Sequence, residues 1–236
     1  MASFDIIADH YDNIMTNREI DDFYLSLLKI QDGNNKKVLD LGCGTGMFLS
    51  KLNVKYKMGI DASSAMITEA KKRNPSAFFQ VSRLEEYELT NLYFDYITCM
   101  YDVINIITDF NEWKKIFSKI SISLTKNGKF IFDVNTLERQ KYLCSMSPFV
   151  KVFNDNYSLT FVSQLDSNLF EWKNILFLKK DDTSYILKEM FNIEYAPEVN
   201  TIELALKECF NIVETYTNET LQGKSVKGKV FFVCSN

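Results

Sequence analysis

One histidine, three prolines, two tryptophans and eight glycines serve a chain of 236 residues. With His10 as the single imidazole, no His-rich metal site can be built, and a Ser-His-Asp triad would have to use that ring. The five cysteines (Cys43, Cys99, Cys144, Cys209 and Cys234) stand at least 25 residues apart. No C-x-x-C pair is therefore available for zinc or redox chemistry. Odd in number and set mostly among apolar neighbours, they read as free thiols of a reducing cytoplasm.

A surplus of basic charge is also missing. Against 31 Asp and Glu there are 27 Lys and Arg, a net charge of −4, which argues against a nucleic-acid partner held by phosphate neutralisation. Long apolar runs are absent too: the longest uncharged stretches, Leu41–Ser50 and Asn156–Leu165, are ten residues each, well under the ~20 that span a bilayer. The opening MASFDIIADHYD carries acids where a secretory leader needs positive charge. What remains, 46% apolar and 25% charged residues, is the composition of an ordinary soluble cytoplasmic protein: one large domain with room for an insert.

The few glycines are unevenly spent, with Gly42, Gly44 and Gly46 falling within five residues. The apolar run Val38–Leu41 enters them and Met47-Phe48-Leu49 leaves them, which reads as strand, glycine turn and helix, the opening of a βαβ unit. Lys57–Asp61 reads as a second strand ending in an acid. Ser63 and Ser64 are placed to cap a helix over Ala65–Arg73 that Pro75 stops. Ala77–Val81 and Phe94–Met100 read as a third and fourth strand. A helix over Phe110–Leu124, ended by Asn127-Gly128, precedes a fifth strand at Lys129–Val134. Alternating strands and helices predict a mostly parallel α/β sheet covered on both faces.

The rhythm then changes. Three runs rich in aromatic and β-branched residues, Tyr157–Leu165, Leu169–Lys179 and Tyr185–Glu194, are parted by turn-like Asp166-Ser167-Asn168 and Asp181–Ser184, as in an antiparallel meander. After Pro197 a helix near Thr201–Cys209 and strands at Ile212–Thr217 and Val226–Cys234 resume the α/β pattern. The expected division is 1–148 with 196–236 as one domain, its first 32 residues acting as a lid, and 149–195 as an antiparallel insert over the acceptor site.

A glycine turn at this place holds an adenosine cofactor against bare backbone. The dinucleotide spacing is G-x-G-x-x-G, whereas this chain has G-x-G-x-G with Asp40 two residues ahead. A pyrophosphate beside Asp40 would be repelled by a few kcal/mol at intermediate dielectric, while an ammonium and a sulfonium would be attracted. Asp61 stands where a strand-end carboxylate accepts both ribose hydroxyls.

Val38-Leu39-Asp40-Leu41-Gly42-Cys43-Gly44-Thr45-Gly46 resembles motif I of the class I S-adenosylmethionine-dependent methyltransferases almost letter for letter. Gly59–Ser63, Phe94–Ile97 and Asn127–Phe130 fall where that family has its second-strand acid, fourth strand and glycine before the fifth strand. The chain is similar to the small-molecule branch with an antiparallel insert after the fifth strand and an N-terminal Tyr-Asp pair (Tyr11-Asp12), to which amino-sugar N-methyltransferases belong. The resemblance implies a Rossmann-like sheet of seven strands, the last antiparallel and inserted between its neighbours.

It also implies S-adenosylmethionine as methyl donor, S-adenosylhomocysteine as product and no metal. The cofactor residues implied are Asp40, Gly42, Cys43, Gly44, Gly46, Asp61, Ala62, Met66, Arg83, Leu84, Met100 and Tyr11. The acceptor residues expected are Tyr101, Asp102, Asn105, Asn135 and Trp172, with Tyr11, His10 and Asp102 as catalytic candidates. Where the family has an adenine-binding acid this chain has Arg83, which cannot accept a hydrogen bond. Ser82, Glu85 or a backbone carbonyl is then left to take that role, or Arg83 stacks on the ring.

The expected reaction is transfer of a methyl group to a small molecule. With few candidate bases (His10, Asp102 and Asp133), a neutral amine is a more natural acceptor than a hydroxyl, which needs its proton removed. O-methylation and a non-catalytic, cofactor-binding regulatory protein are the alternatives. The expected partners are the small acceptor alone, without nucleic acid or membrane, in a monomer or homodimer.

Overall fold

The computed structural model describes residues 3–15, 18–28, 30, 35–89, 93–217 and 228–236. Among them a seven-stranded sheet runs in the order β10-β11-β5-β4-β1-β2-β3. Its strands are β1 (Lys37–Leu41), β2 (Tyr56–Asp61), β3 (Phe78–Val81), β4 (Phe94–Cys99), β5 (Leu124–Asn135), β10 (Ile212–Tyr216) and β11 (Lys229–Ser235). β1 through β5 pair in parallel, and β11 lies antiparallel to both β5 and β10. This is the Rossmann-like arrangement expected, including the inserted last strand. The predicted start of β11 at Val226 lies outside the described residues.

The central strands are continuous apolar runs because both faces are covered. On one side lie α3 (Met47–Lys51), α4 (Ser64–Arg73) and α2 (Arg18–Leu28), packed through Phe48, Leu49, Ile67, Ala70, Tyr24 and Leu28. On the other lie α5 (Phe110–Ser123) and α7 (Val199–Lys207), packed through Trp113, Phe117, Ile202 and Leu206. Ser63 caps α4 by accepting from Met66 N at 3.1 Å, and Asp109 caps α5. Phe130, Phe132 and Phe232 stack across β5 and β11 at 4.6 and 5.0 Å between ring centres.

The interruption is a separate four-stranded antiparallel sheet, β6-β7-β8-β9. Its strands are β6 (Phe149–Phe153), β7 (Asn156–Gln164), β8 (Leu169–Lys179) and β9 (Tyr185–Tyr195). Sequence reasoning found β7 to β9 and missed β6, whose turn at Asn154-Asp155 uses two non-glycine residues at positive φ. It also missed α6 (Leu137–Met146), between β5 and the insert, because that helix has only a weak apolar stripe: of its ten residues only Gln140 and Leu143 are buried. The insert has two unlike faces. Phe170, Trp172, Asn174, Leu176, Met190, Asn192 and Glu194 share the inward one, and Val152, Leu187 and Phe191 are exposed on the other.

Candidate active site

The glycine turn is fastened to the neighbouring strand. Gly42 N and Cys43 N both donate to Ile60 O, at 2.8 and 2.9 Å, and Gly44 N donates to Asp61 Oδ2 at 2.9 Å. The other Asp61 oxygen accepts from Ser63 N at 2.8 Å. Each oxygen therefore has one backbone donor and keeps acceptor capacity for another. Burial raises the Asp61 pKa, while the Ser63 and Gly44 amides pull it back.

Gly42 and Gly44 have φ of +71° and +52°, and each is required for a different reason. A Cβ on Gly42 would meet Val103 at 2.4 Å, so that position is closed by packing. A Cβ on Gly44 would meet only Tyr11 Cε1, at 3.6 Å, so this turn faces open space that a ligand can fill. Gly46 corrects an expectation. It caps α3 and packs on Ala70 and Asn74, and its role is close helix packing, away from the cavity. The Cys43 side chain packs against Gly59.

A cavity of about 380 Å³ opens over the carboxyl ends of β1, β2, β4 and β5. At one end it is lined by Gly42, Gly44, Asp61, Ala62, Met66, Arg83, Leu84 and Glu85. Tyr11, Tyr101, Asp102 and Val103 form its waist, and Asn135, Arg139, Trp172, Asn174, Asn192, Glu194 and Lys229 its far end. Arg83 donates to Glu85 Oε1 at 2.8 Å, so the stretch that lacks the expected acid presents one two residues later. A small adjoining recess holds Asp40, Thr45, Met100 and Asp21. Burial pushes the Asp40 carboxyl up to about 7, against the Thr98 hydroxyl that donates to it at 2.7 Å. A cation placed there would return Asp40 to its charged form.

At the waist, Tyr101 and Asp102 are consecutive non-glycine residues at φ of 60° and 54°, a conformation costing roughly 1–2 kcal/mol each. Asp133 holds them there, since its carboxylate accepts from Tyr101 N at 2.6 Å and Asp102 N at 3.2 Å. It also accepts from the Tyr24 hydroxyl and the Lys229 ammonium. Four donors already occupy this fully buried carboxyl, and it does not line the cavity. As a candidate base it is excluded by its own partners. Lys229 also donates to Asp102 Oδ1 at 2.6 Å. Burial pulls the lysine down, but Asp102 and Asp133 outweigh it and hold its pKa above the usual range.

Two further expectations need correction. Asn105 is fully buried, and its amide spans Asn135 O at 2.9 Å and Tyr195 O at 2.8 Å while accepting from Asn135 N at 3.1 Å. It clamps the base of the insert to β5 and does not line the cavity. His10 lies beside Phe153, 5.9 Å between ring centres, also away from the cavity. Tyr11 does line it, but burial and the nearby Asp102 raise its pKa far above the phenol range. It can donate a hydrogen bond and cannot serve as a base.

Glu194 is the residue that sequence reading missed. The residue is 3% exposed and lines the cavity's far end. It accepts from Gln140 Nε2 at 2.5 Å, Asn135 Nδ2 at 3.2 Å and Asn192 Nδ2 at 3.4 Å. Burial and then Asp102 push its pKa up to about 8. A signal was available in the alternation Met190, Asn192, Glu194, which puts two polar residues on a face that otherwise turns inward.

Because the folded pKa exceeds the ordinary carboxyl value, the native chain keeps a proton that the unfolded chain releases. Stability therefore falls as pH rises through roughly 4.5 to 8. Glu194→Gln should abolish that fall, so its melting temperature should exceed wild type by more at pH 8 than at pH 5. Parallel melting curves at the two pH values would contradict this.

The N-terminal segment bridges both parts of the molecule. Asp12 is tied to Thr45 Oγ1 at 2.6 Å and Arg73 at 2.5 Å, and Asp5 to Ser63 Oγ at 2.5 Å. From the insert, Lys151 and Lys188 donate to the carbonyls of Ile14 and Ile6, at 2.8 and 3.2 Å. Phe4, Tyr11 and Met15 of the N-terminal segment line the cavity, as part of its roof. Residues 1–2, 16–17, 29 and 31–32 of the expected lid lie outside the described residues.

Residues 38–128 match the family model described as a methyltransferase domain. A crystal structure of an S-adenosylmethionine-dependent methyltransferase from Clostridium acetobutylicum superposes with a TM-score of 0.82 over 98% of both chains, at 22% identity. The fold is that of the S-adenosylmethionine-dependent methyltransferases. An amino pentose methyltransferase of calicheamicin biosynthesis from Micromonospora echinaspora shares this methyltransferase fold, with TM-score 0.77, 12% identity and 97% and 95% coverage. A protein of Geobacillus sp. (strain WCH70), provisionally named a methyltransferase, is 25% identical over 98% of each chain. Among the described residues, no helix of this methyltransferase fold is long and apolar enough to cross a membrane.

Proposed function

We propose that this chain transfers the methyl group of S-adenosylmethionine to the nitrogen of a small amine. The observation that carries the reading is one continuous cavity. It runs from the open turn at Gly44 and the strand-end Asp61 to a polar end built by the insert, at Trp172, Asn174, Asn192 and Glu194. The first end fits the cofactor: a carboxylate with capacity for two hydroxyls, a cradle that a side chain would fill, and a buried Asp40 for a cation. Ala62, Met66 and Leu84 offer apolar contact to a base, with Glu85 to accept from its amino group.

When bound, S-adenosylmethionine supplies an activated methyl on a sulfonium. The chain's own part is then alignment and exclusion of water, which contribute up to ~7–11 kcal/mol for well-oriented reactants. Tyr101 and Asp102, held rigid by Asp133, set the waist where the two ligands would meet. The roof of residues 3–15 closes over it. The structural neighbours that act on amino sugars, among them a sugar N-methyltransferase from Streptoalloteichus sp. (TM-score 0.74, 13% identity), support an amine acceptor.

The test is incubation with S-adenosylmethionine and a panel of amino sugars and other small polyhydroxylated amines, read by mass spectrometry. The expected result is S-adenosylhomocysteine together with an N-methylated amine. Methylation confined to hydroxyl-only compounds would replace the amine reading with O-methylation. Tight cofactor binding with no transfer to any acceptor would instead favour a regulatory protein.

A further inference from the structure

We propose that Glu194 is the carboxylate that receives the acceptor's ammonium and takes its proton before methylation. The proposal deepens the amine reading above and rests on it.

Three observations support it. Glu194 sits on the inward face of β9, on the part of the cavity wall that the insert supplies with Trp172, Asn174 and Asn192. It is fixed there by amides alone, from Gln140, Asn135 and Asn192. Among the described residues no salt bridge reaches Glu194 within 4.0 Å, whereas Asp102, the acid at the waist, is already paired with Lys229. A buried carboxyl oriented by neutral donors, with no salt-bridge partner of its own, is placed to exchange its proton for a bound ammonium. The third is Trp172. It also lines the cavity, and its indole nitrogen is held by Gln140 Oε1 at 3.1 Å. One side chain, Gln140, thus orients both the carboxylate and an aromatic ring suited to an alkylammonium.

The charged groups facing Glu194 from the packed elements are Asp102 after β4, Lys229 on β11 and Arg139 on α6. Burial and then Asp102 have raised Glu194 to about 8, which makes it a stronger base toward a bound ammonium than an ordinary carboxylate. As the ammonium binds, Glu194 releases to solvent the proton it holds at neutral pH; an ammonium N–H bond then breaks and that proton passes to the Glu194 carboxylate, which becomes the acid again. The freed nitrogen lone pair then takes the methyl group, and the electron pair of the broken carbon–sulfur bond stays on sulfur. The products are a methylated ammonium and S-adenosylhomocysteine, and Glu194 returns its proton to solvent. The ligand class is a small primary or secondary amine.

The test is binding, so that it does not depend on turnover. Wild type and Glu194→Gln, each with and without S-adenosylhomocysteine, are titrated calorimetrically with D-glucosamine, D-galactosamine and ethanolamine. The hydroxyl counterparts D-glucose, D-galactose and ethylene glycol are titrated alongside. Wild type should bind at least one amine about tenfold or more tightly than its counterpart, as a charge-assisted bond requires. Glu194→Gln should lose that preference while keeping wild-type affinity for S-adenosylhomocysteine and a higher melting temperature.

A wild type without amine preference, or a variant that retains it, overturns the role of Glu194 and leaves the methyltransferase reading standing. Failure of wild type to bind S-adenosylhomocysteine sinks that reading instead, and the titrations of unloaded protein still decide Glu194.

Discussion

Asp61→Ala should weaken binding of S-adenosylmethionine and S-adenosylhomocysteine at least about 30-fold. The half-buried carboxylate accepts one backbone donor on each oxygen, and the remaining lone pairs face the cavity end lined by Gly44, Ala62 and Met66. Loss of a bidentate, charge-assisted acceptor in such a place costs ~2–4 kcal/mol. The substitution also frees Gly44 N and Ser63 N, so Asp61→Asn is the control: one carbonyl oxygen remains, and the loss should be intermediate. Calorimetric titration of the three proteins checks this, with circular dichroism to confirm the fold. Unchanged affinity in Asp61→Ala would remove the cofactor from this end of the cavity.

Lys229→Met should cost about 3–5 kcal/mol of stability, the usual loss when one partner of a buried pair is taken away. Lys229 is 3% exposed and compensates Asp133, which is fully buried, together with Asp102. Without it Asp133 becomes an uncompensated charge, and the Asp102 side chain loses its ion-pair partner. The double variant Lys229→Met with Asp133→Asn should recover part of the loss, because both charges leave together. Denaturant midpoints of the two singles and the double measure this. A Lys229→Met protein as stable as wild type would mean that Asp133 is neutral and the waist is held by other contacts.

The cofactor half of the site was legible because its chemistry is local in sequence. The Gly42–Gly46 turn, Asp61 and the Ser63 cap each show themselves within a few residues, the parallel sheet followed from alternating strands and helices, and the inserted last strand from the family resemblance. The acceptor half was hidden because its partners are remote. Lys229 and Asp133 are 96 residues apart, and Gln140 and Glu194 are 54 apart, so no periodicity or spacing joins them. Asn105 and His10 misled for the opposite reason. Both are polar residues near the expected pocket in sequence, yet one is consumed by backbone carbonyls and the other stacks outside. Asp133 looked like a base until four donors were found on it.

The scarcity of bases, which first favoured an amine, also changes form. The chain does hold a buried carboxyl in the cavity, Glu194, and the amine reading now rests on what that residue is proposed to do and no longer on the absence of alternatives.

Hydrogen exchange with and without S-adenosylhomocysteine tests the central claim most directly, because it reports location as well as binding. The cofactor should protect peptides covering Gly42–Gly46 and Gly59–Met66, the stretch Arg83–Glu85, and the roof over residues 3–15. Residues 170–176 and 190–195 of the insert should stay unchanged until an amine is added. Exchange identical in both states around Gly44 and Asp61, or protection centred on the insert alone, would contradict a cofactor seated on the glycine turn with the acceptor beyond it.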